Sequence, residues 1–184
     1  AGLLGNNLSL GAQAKIFKFS VTNAGTRDLR LEGVHVSVSV SGLALGTANI
    51  SDFRLYEDNG AGGLGTYIAQ NHSVMQATTA NPVRITFNSA LDQNGLLDNM
   101  IVSPGATRTF ITTVDTTNML TGLITGSVII SSKIAGSTGW NGTAWNTGDL
   151  VYYYTPVNGS ENAIPGYSAS DSYEAIGGDL IYTL

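Results

Sequence analysis

The sequence predicts an all-β protein, a single antiparallel β-sandwich of about ten strands with little or no helix. Two observations predict this fold. Apolar and polar residues alternate with a period of two in most segments, which is typical of strands with one buried and one wet face. Clusters of glycine, asparagine and serine separate these segments at short intervals, as turns do in a sandwich. No segment has a convincing helical period, apart from a short turn near residues 90–97.

The first strands lie in residues 15–40, where we expect an antiparallel hairpin with its turn at 23–26. In the second strand the apolar phase changes at Gly33, from Leu29 and Leu31 to Val34 and the valines that follow. A glycine inside a strand commonly marks a bulge or a bend between sheets. Alternatively, one strand ends at Gly33 and another begins.

The remaining strands follow in order along the chain. Residues 51–56 and 65–69 predict a hairpin across the glycine-rich turn 57–63. Further strands are expected at 82–88, 107–117, 127–134, 149–155 and 179–184. No linker or internal repeat divides them, so residues 14–184 are expected to form one sandwich domain, preceded by an N-terminal arm of residues 1–13.

The composition excludes several classes of protein. The net charge of −5, with only eight Lys and Arg, argues against nucleic-acid binding, and no apolar run approaches the ~20 residues of a membrane span. The absence of cysteine excludes disulfides, zinc-thiolate sites and thiol catalysis. The chain opens at Ala1 without Met, which fits a processed, mature N-terminus and equally a trimmed one.

The low content of charged residues favours a protein that packs against its own copies. Charged residues make up 11% of the 184 residues, against roughly 25% in an ordinary soluble domain. Serine, threonine and asparagine supply the polar surface instead, and such a surface repels its copies weakly. The arm adds apolar side chains for subunit contacts, namely Leu3, Leu4, Leu8 and Leu10.

The acidic loops are weak candidates for calcium sites, because calcium takes oxygen ligands from Asp, Asn and backbone carbonyls. The candidates are Asp52, Asp58, Asp92 and Asp98. Neither loop matches the EF-hand pattern, and the alternative is that these side chains cap turns by bonding their own backbone. No cofactor is expected.

Trp140 and Trp145, in a loop rich in Gly, Thr and Asn, are the aromatic residues expected to be exposed or to meet a neighbouring subunit. With the run of tyrosines at 152–154, they also fit a platform for stacking on sugar rings. In that run the outer two tyrosines share one face of a strand, so some of the three are expected in the core.

Catalytic patterns are missing from the sequence, so an enzyme is the least supported class. The two histidines, His35 and His72, have no nucleophile motif near them, and a structural role is expected for each. Five Asn-x-Ser/Thr sequons are possible glycosylation acceptors if the source cell modifies secreted proteins. They begin at Asn7, Asn49, Asn71, Asn141 and Asn158.

Three segments carry a resemblance to prokaryotic cell-surface sandwiches. The segment FKFSVTNAGTRDLRLEGVHVSV resembles the F-x-F-x-x-x-N-x-G-x-x-x-L hairpin of the TasA/camelysin family of biofilm-fibre proteins and of archaeal bundling pilins. The segments ANISDFRLYED and VSPGATRTFITTVDTT are similar to strands of Ig-like domains in bacterial S-layer-type proteins. Together they span roughly residues 16–117.

This resemblance implies an Ig-like or jelly-roll-like sandwich at the cell surface, commonly a fibre or pilus subunit. In TasA-like fibres an N-terminal segment of one subunit completes a sheet in the next, and residues 1–13 occupy the matching position here. The leading hypothesis is therefore an extracellular, non-enzymatic subunit that assembles with copies of itself into a filament, pilus or surface layer. The alternative is a carbohydrate-binding or adhesive module that binds surface glycans through Trp140 and Trp145.

Overall fold

The computed structural model describes residues 7–88, 100–122, 126–135, 150–154, 164–165, 174–176 and 180–183. These residues form twelve strands and no helix, which confirms the all-β prediction, although the sequence predicts about ten strands. The strands are β1 (Ala14–Thr22), β2 (Leu29–Ser41), β3 (Asn49–Asp58), β4 (Leu64–Gln76), β5 (Val83–Asn88), β6 (Met100–Val102), β7 (Thr107–Asp115), β8 (Ser127–Ala135), β9 (Leu150–Tyr154), β10 (Ile164–Pro165), β11 (Glu174–Ile176) and β12 (Leu180–Thr183). The short turn predicted near residues 90–97 lies outside the described residues.

The strands build two antiparallel sheets. The smaller sheet has the order β1-β7-β3-β4. The larger has the order β10-β9-β2-β8-β11, with β12 paired to β8 and both β5 and β6 paired to β2. One hydrophobic cluster takes side chains from both sheets, so the two sheets share a core.

Strand β2 is the centre of the larger sheet, because two strands pair with it along each edge. On one edge, residues 33–38 pair with β5 and residues 29–31 with β6. On the other, residues 37–41 pair with β8 and residues 29–34 with β9. The register with β9 shifts between Leu31 and Gly33, which confirms the predicted bulge within one continuous strand.

The predicted hairpin between β1 and β2 is wrong. Strand β1 pairs with β7 in the smaller sheet, whereas β2 belongs to the larger sheet. The residues between them therefore cross from one sheet to the other. Alternation within each strand is the same for both arrangements, so the pattern could not distinguish them.

The side chain of Asn23 explains the crossover. It is 1% exposed, and its Nδ2 atom donates hydrogen bonds of 2.7 Å to the carbonyl oxygens of Arg27 and Val102. Its Oδ1 atom accepts a bond of 2.9 Å from the N–H of Gly25. Because Val102 ends β6 in the larger sheet, these bonds hold the chain leaving β1 against the opposite sheet.

The second predicted hairpin is confirmed. Strands β3 and β4 pair directly, with Phe53 and Leu55 fully buried, and the N–H of Asn59 closes the turn on the carbonyl of Gly63 at 3.1 Å. Strand β7 also forms as predicted, with Phe110, Thr112 and Val114 buried on one face. Its other face is buried as well, since Ile111 and Thr113 are inaccessible to solvent.

Aromatic side chains fill part of the core on the inner face of the smaller sheet. The ring centroids of Phe17 and Phe19 lie 5.5 Å apart, and those of Phe19 and Phe110 lie 5.2 Å apart. Each ring is at most 2% exposed. Burial of one such side chain stabilises the fold by about 1.5–3 kcal/mol.

Arg108 joins the two sheets at one end of the core. Its guanidinium group in β7 makes a bidentate pair with the carboxylate of Glu57 in β3, at 2.8 and 2.7 Å. A third bond of 3.1 Å runs from its Nη1 atom to the carbonyl of Ile101 in β6. The fork geometry of arginine suits this double role, because it has donors for both partners.

Candidate assembly site

The described part of the N-terminal arm, residues 7–13, lies against the chain's own sheets. Asn7 forms a parallel bridge with Ile181 of β12, and the N–H of Leu8 donates to the carbonyl of Ile181 at 3.1 Å. The side chain of Leu8 is 4% exposed and belongs to the core. The arm therefore extends the larger sheet past β12, which pairs with β8 on its other edge.

A single buried threonine fastens the arm to the end of β7. The N–H of Gly11 donates to the Oγ1 atom of Thr116 at 3.0 Å, and the N–H of Thr116 donates to the carbonyl of Gly11 at 3.0 Å. The Thr116 hydroxyl shares its proton between the carbonyls of Ser9, at 3.0 Å, and Gly11, at 3.2 Å. Thr116 itself is fully buried.

The arm turns into β1 at Gly11. Its φ angle of +150° is one that glycine adopts more readily than other residues, and a Cβ atom there would have no neighbour within 4 Å. Two residues later, the Nε2 atom of Gln13 donates to the Tyr56 hydroxyl at 2.9 Å. This end of the arm is therefore held by backbone and side-chain polar contacts, with open space around the turn.

Three exposed apolar side chains lie in the arm, in β12 and in the β2–β3 connection. Leu10, Leu45 and Ile181 are 46%, 81% and 38% exposed. Leu45 lies in the β2–β3 connection, whose Gly42 packs against the backbone of Ser127 at the start of β8. Since Ser127 pairs with Thr183 of β12, this connection lies at the same end of the larger sheet as the arm. We call these three side chains the arm-end patch.

The predicted interface residues have different positions. Leu8 lies in the chain's own core, whereas Leu10 is exposed in the arm-end patch. Leu3, Leu4, Trp140 and Trp145 lie outside the described residues. Contact of Leu8 and Leu10 with a second subunit stays a prediction.

Asp58 caps a turn, as the alternative to calcium binding predicts. Its Oδ1 atom accepts from the N–H groups of Gly60 and Gly62, at 3.1 and 2.9 Å, and its Oδ2 atom pairs with Lys18. The hydrogen bond from Lys18, aided by these two amides against the opposing effect of burial, lowers the pKa of Asp58 below its ordinary value of 3.8. Both oxygens are engaged in these contacts, and calcium binding at Asp58 stays a prediction.

Asp52 lies in the same strand as Asp58 but at a separate place, about 20 Å away along β3. Its Oδ1 atom bonds His72 Nδ1 at 2.8 Å and Gln70 Nε2 at 3.2 Å. Asp92 and Asp98 lie outside the described residues. Within the described ranges, no three His, Cys, Asp or Glu side chains come together to hold a metal.

Both histidines take part in hydrogen bonds, and the structural role expected for each stays a prediction. His72 contacts Asp52, and the Nδ1 atom of His35 lies 2.9 Å from the hydroxyl of Thr86 on the neighbouring strand β5.

The glycosylation sequons differ in the accessibility of their acceptor nitrogens. The Nδ2 atom of Asn71 donates to the carbonyl of Thr86 at 2.9 Å, and that of Asn49 donates to the carbonyl of Thr47 at 2.9 Å. Asn7 is exposed in the arm. Asn141 and Asn158 lie outside the described residues. Glycan occupancy stays a prediction at all five.

Sequence reasoning missed Thr116, the residue that makes the most bonds to the arm. The only hint in the sequence is the run Asp115-Thr116-Thr117, which is typical of a turn. The N–H and the hydroxyl of Thr117 both donate to Asp115 Oδ1, at 2.8 and 2.6 Å. That pattern marks the end of β7 but gives no hint that the middle residue faces the arm, because the contact spans more than a hundred residues.

Comparison of the chain with protein families, curated proteins and solved structures finds no match. In the part of the chain that the structure describes, no helix has the length and apolar character needed to cross a membrane. Function is therefore inferred from geometry and composition.

Proposed function

We propose that this protein is a non-enzymatic structural subunit that assembles outside the cell with copies of itself, through β-strand exchange, into a filament, pilus or surface layer. The observation that carries the proposal is the arm, whose residues 7 and 8 meet β12 through one parallel bridge and one backbone hydrogen bond. An added strand satisfies unpaired backbone groups and fills an apolar site with alternate side chains. The same contacts are available to the arm of another subunit.

Two further features support assembly. The two antiparallel sheets with one shared core fit a β-sandwich of the Ig-like or jelly-roll-like kind. The chain has 11% charged residues, so adjacent copies repel each other weakly. Leu10 in the arm and Ile181 in β12 add exposed apolar surface at this place.

Deletion of residues 1–13 tests the proposal. We expect the truncated protein to stay folded, as judged by circular dichroism, and to form no filaments in negative-stain images. Because the deletion removes Leu8 from the core, a loss of about 1.5–3 kcal/mol in unfolding free energy is expected.

A peptide of residues 1–13, added to the truncated protein, is the matched control. It should bind and recover the lost stability without restoring filaments, because a free peptide fills the acceptor site but links no subunits. Filaments formed by the truncated protein alone would contradict the proposal.

A further inference from the structure

The turn between β3 and β4 contains an Asn-Gly pair, a dipeptide whose side-chain amide is open to attack by its own backbone. The sequence has four such pairs, which begin at Asn59, Asn94, Asn141 and Asn158, and the last three lie outside the described residues. In such a pair the glycine nitrogen reaches the side-chain carbonyl carbon of asparagine easily, because no Cβ atom hinders its approach. Asn59 and Gly60 are both exposed, so water reaches the pair.

Hydrogen bonds hold the side-chain carbonyl group of Asn59 in a fixed place. Its Oδ1 atom accepts from the N–H groups of Ala61 and Gly63, each at 3.0 Å. The N–H of Asn59 itself donates to the carbonyl of Gly63 at 3.1 Å and closes the turn. Two N–H donors on one carbonyl oxygen stabilise the negative charge that this oxygen gains in a tetrahedral intermediate. The Cγ atom of Asn59 is therefore activated towards a nucleophile.

The N–H of Gly60, which is the attacking group, donates to a carboxylate. Its acceptor is the Oδ1 atom of Asp58 at 3.1 Å, and the same oxygen accepts from the N–H of Gly62 at 2.9 Å. The Oδ2 atom of Asp58 pairs with Lys18 of β1, so a neighbouring strand also holds the carboxylate in place. A carboxylate within hydrogen-bond reach of the proton to be removed meets the geometric requirement for a general base.

We propose that Asn59-Gly60 is a self-modifying site, at which the folded turn promotes conversion of the asparagine into aspartate or isoaspartate. The Gly60 nitrogen forms a bond to Asn59 Cγ while its proton passes to the Asp58 carboxylate. The C–N bond of the side-chain amide then breaks, and the amide nitrogen takes up that proton and leaves as ammonia. Water opens the resulting five-membered succinimide ring at one of its two carbonyl groups.

The modification changes the charge and the hydrogen bonds of the turn. The product carries one more negative charge, which takes the net charge of the chain from −5 to −6. An aspartate at position 59 keeps an oxygen for the N–H groups of Ala61 and Gly63, whereas isoaspartate adds one methylene group to the main chain between β3 and β4. The inference is independent of assembly, because every group involved belongs to one subunit.

Peptide mapping by mass spectrometry tests the proposal. The purified chain is incubated at neutral pH, folded in buffer and unfolded in urea, and the mass gained when an amide becomes a carboxyl group is followed at Asn59. We expect conversion about tenfold faster in the folded chain, because the base and the two donors act only in the folded turn. The gain is modest because a carboxylate is a weak base at neutral pH. A folded-state rate at or below the rate in urea would overturn the proposal.

Asp58→Asn tests the general base. The substitution keeps an oxygen for the N–H groups of Gly60 and Gly62 but removes the carboxylate. We expect the folded-state rate at Asn59 to fall about tenfold, to the rate in urea, while the rate in urea stays unchanged. A folded-state rate that stays high in this variant would remove Asp58 from the reaction.

Two controls separate chemistry from the order of the turn. Lys18→Met removes the ion pair but leaves the carboxylate, so the fast rate at Asn59 should persist. Glu57→Gln makes the same change of charge as Asp58→Asn at the preceding residue, whose carboxylate bonds Arg108, and should also leave the rate unchanged. If either control slows conversion as much as Asp58→Asn does, the assignment of Asp58 as the base is wrong.

Discussion

At the scale of single residues, buried polar side chains direct the path of the chain. Asn23 and Thr116 are both at most 1% exposed, and each bonds backbone groups that are distant in sequence. A buried polar group is costly unless its partners are present, so such residues favour one arrangement over its competitors. Asn23 fixes the crossover between sheets, and Thr116 fixes the arm.

Asn23→Asp tests the crossover. The substitution keeps the shape but replaces two N–H donors by a carboxylate oxygen that faces the carbonyls of Arg27 and Val102. We expect a loss of about 2–4 kcal/mol in unfolding free energy, measured by urea denaturation at pH 7. Asn59→Asp is the control, because Asn59 is exposed and its Oδ1 atom accepts bonds that a carboxylate also accepts. Equal effects at both positions would contradict the role given to Asn23.

The lowered pKa of Asp58 predicts that the folded protein loses stability in acid. Its pKa is lowered in the folded state by Lys18 and the turn amides, so its contribution is fully present above the ordinary value of 3.8. The contribution is lost as the pH falls below 3.8 through the folded-state value. Thermal melts between pH 6 and 2 should show a steeper decline for the unchanged chain than for Asp58→Asn. Parallel declines in the two proteins would refute the assignment.

At the scale of elements, the strand β2 and its connections determine how the sheets are built. Its thirteen residues carry four partner strands, two on each edge. After the strand ends, Gly42 turns the chain with φ +83° against the backbone of Ser127. The start of β8 therefore packs closely against the residue that follows β2.

Replacement of Gly42 by alanine tests whether this close approach of the two backbones matters for stability. A Cβ atom at position 42 would lie 2.1 Å from the carbonyl oxygen of Ser127, so β8 must move. We expect Gly42→Ala to destabilise the fold by about 2–4 kcal/mol, from the clash and the positive φ together. Gly46→Ala, at φ +105° with no neighbour within 4 Å, carries the backbone cost alone, about 1 kcal/mol. Similar denaturation midpoints for the two variants would show that the close approach does not matter.

Local patterns predict single elements well in this chain. Alternation identifies β1, β2, β3, β5 and β7, and the phase change at Gly33 identifies the bulge. Contacts between distant segments are not predicted by local patterns. Asn23 bonds Val102, which lies 79 positions away, and no local signal marks that contact. The hairpin prediction failed for that reason: a short turn between two alternating strands serves a hairpin and a crossover equally.

At the scale of the whole molecule, residues 7–11 of the arm lie against β12 and against Thr116 at the end of β7. The sequence predicts an apolar arm, and the structure places Leu8 in the core and Leu10 on the surface. Residues i and i+2 of a strand share one face, so the opposite burial of Leu8 and Leu10 was not predictable from alternation. The place where the arm lies was not predictable either, because it combines β12 with Thr116, which are 64 or more residues apart.

The central claim is that copies of this chain assemble with one another through strand exchange. Negative-stain electron microscopy of the purified, unmodified protein over a series of concentrations tests that claim most directly. We predict rods or sheets of regular repeat that appear above a threshold concentration and need no added ligand. Dispersed single particles at every concentration, with the fold intact by circular dichroism, would contradict it.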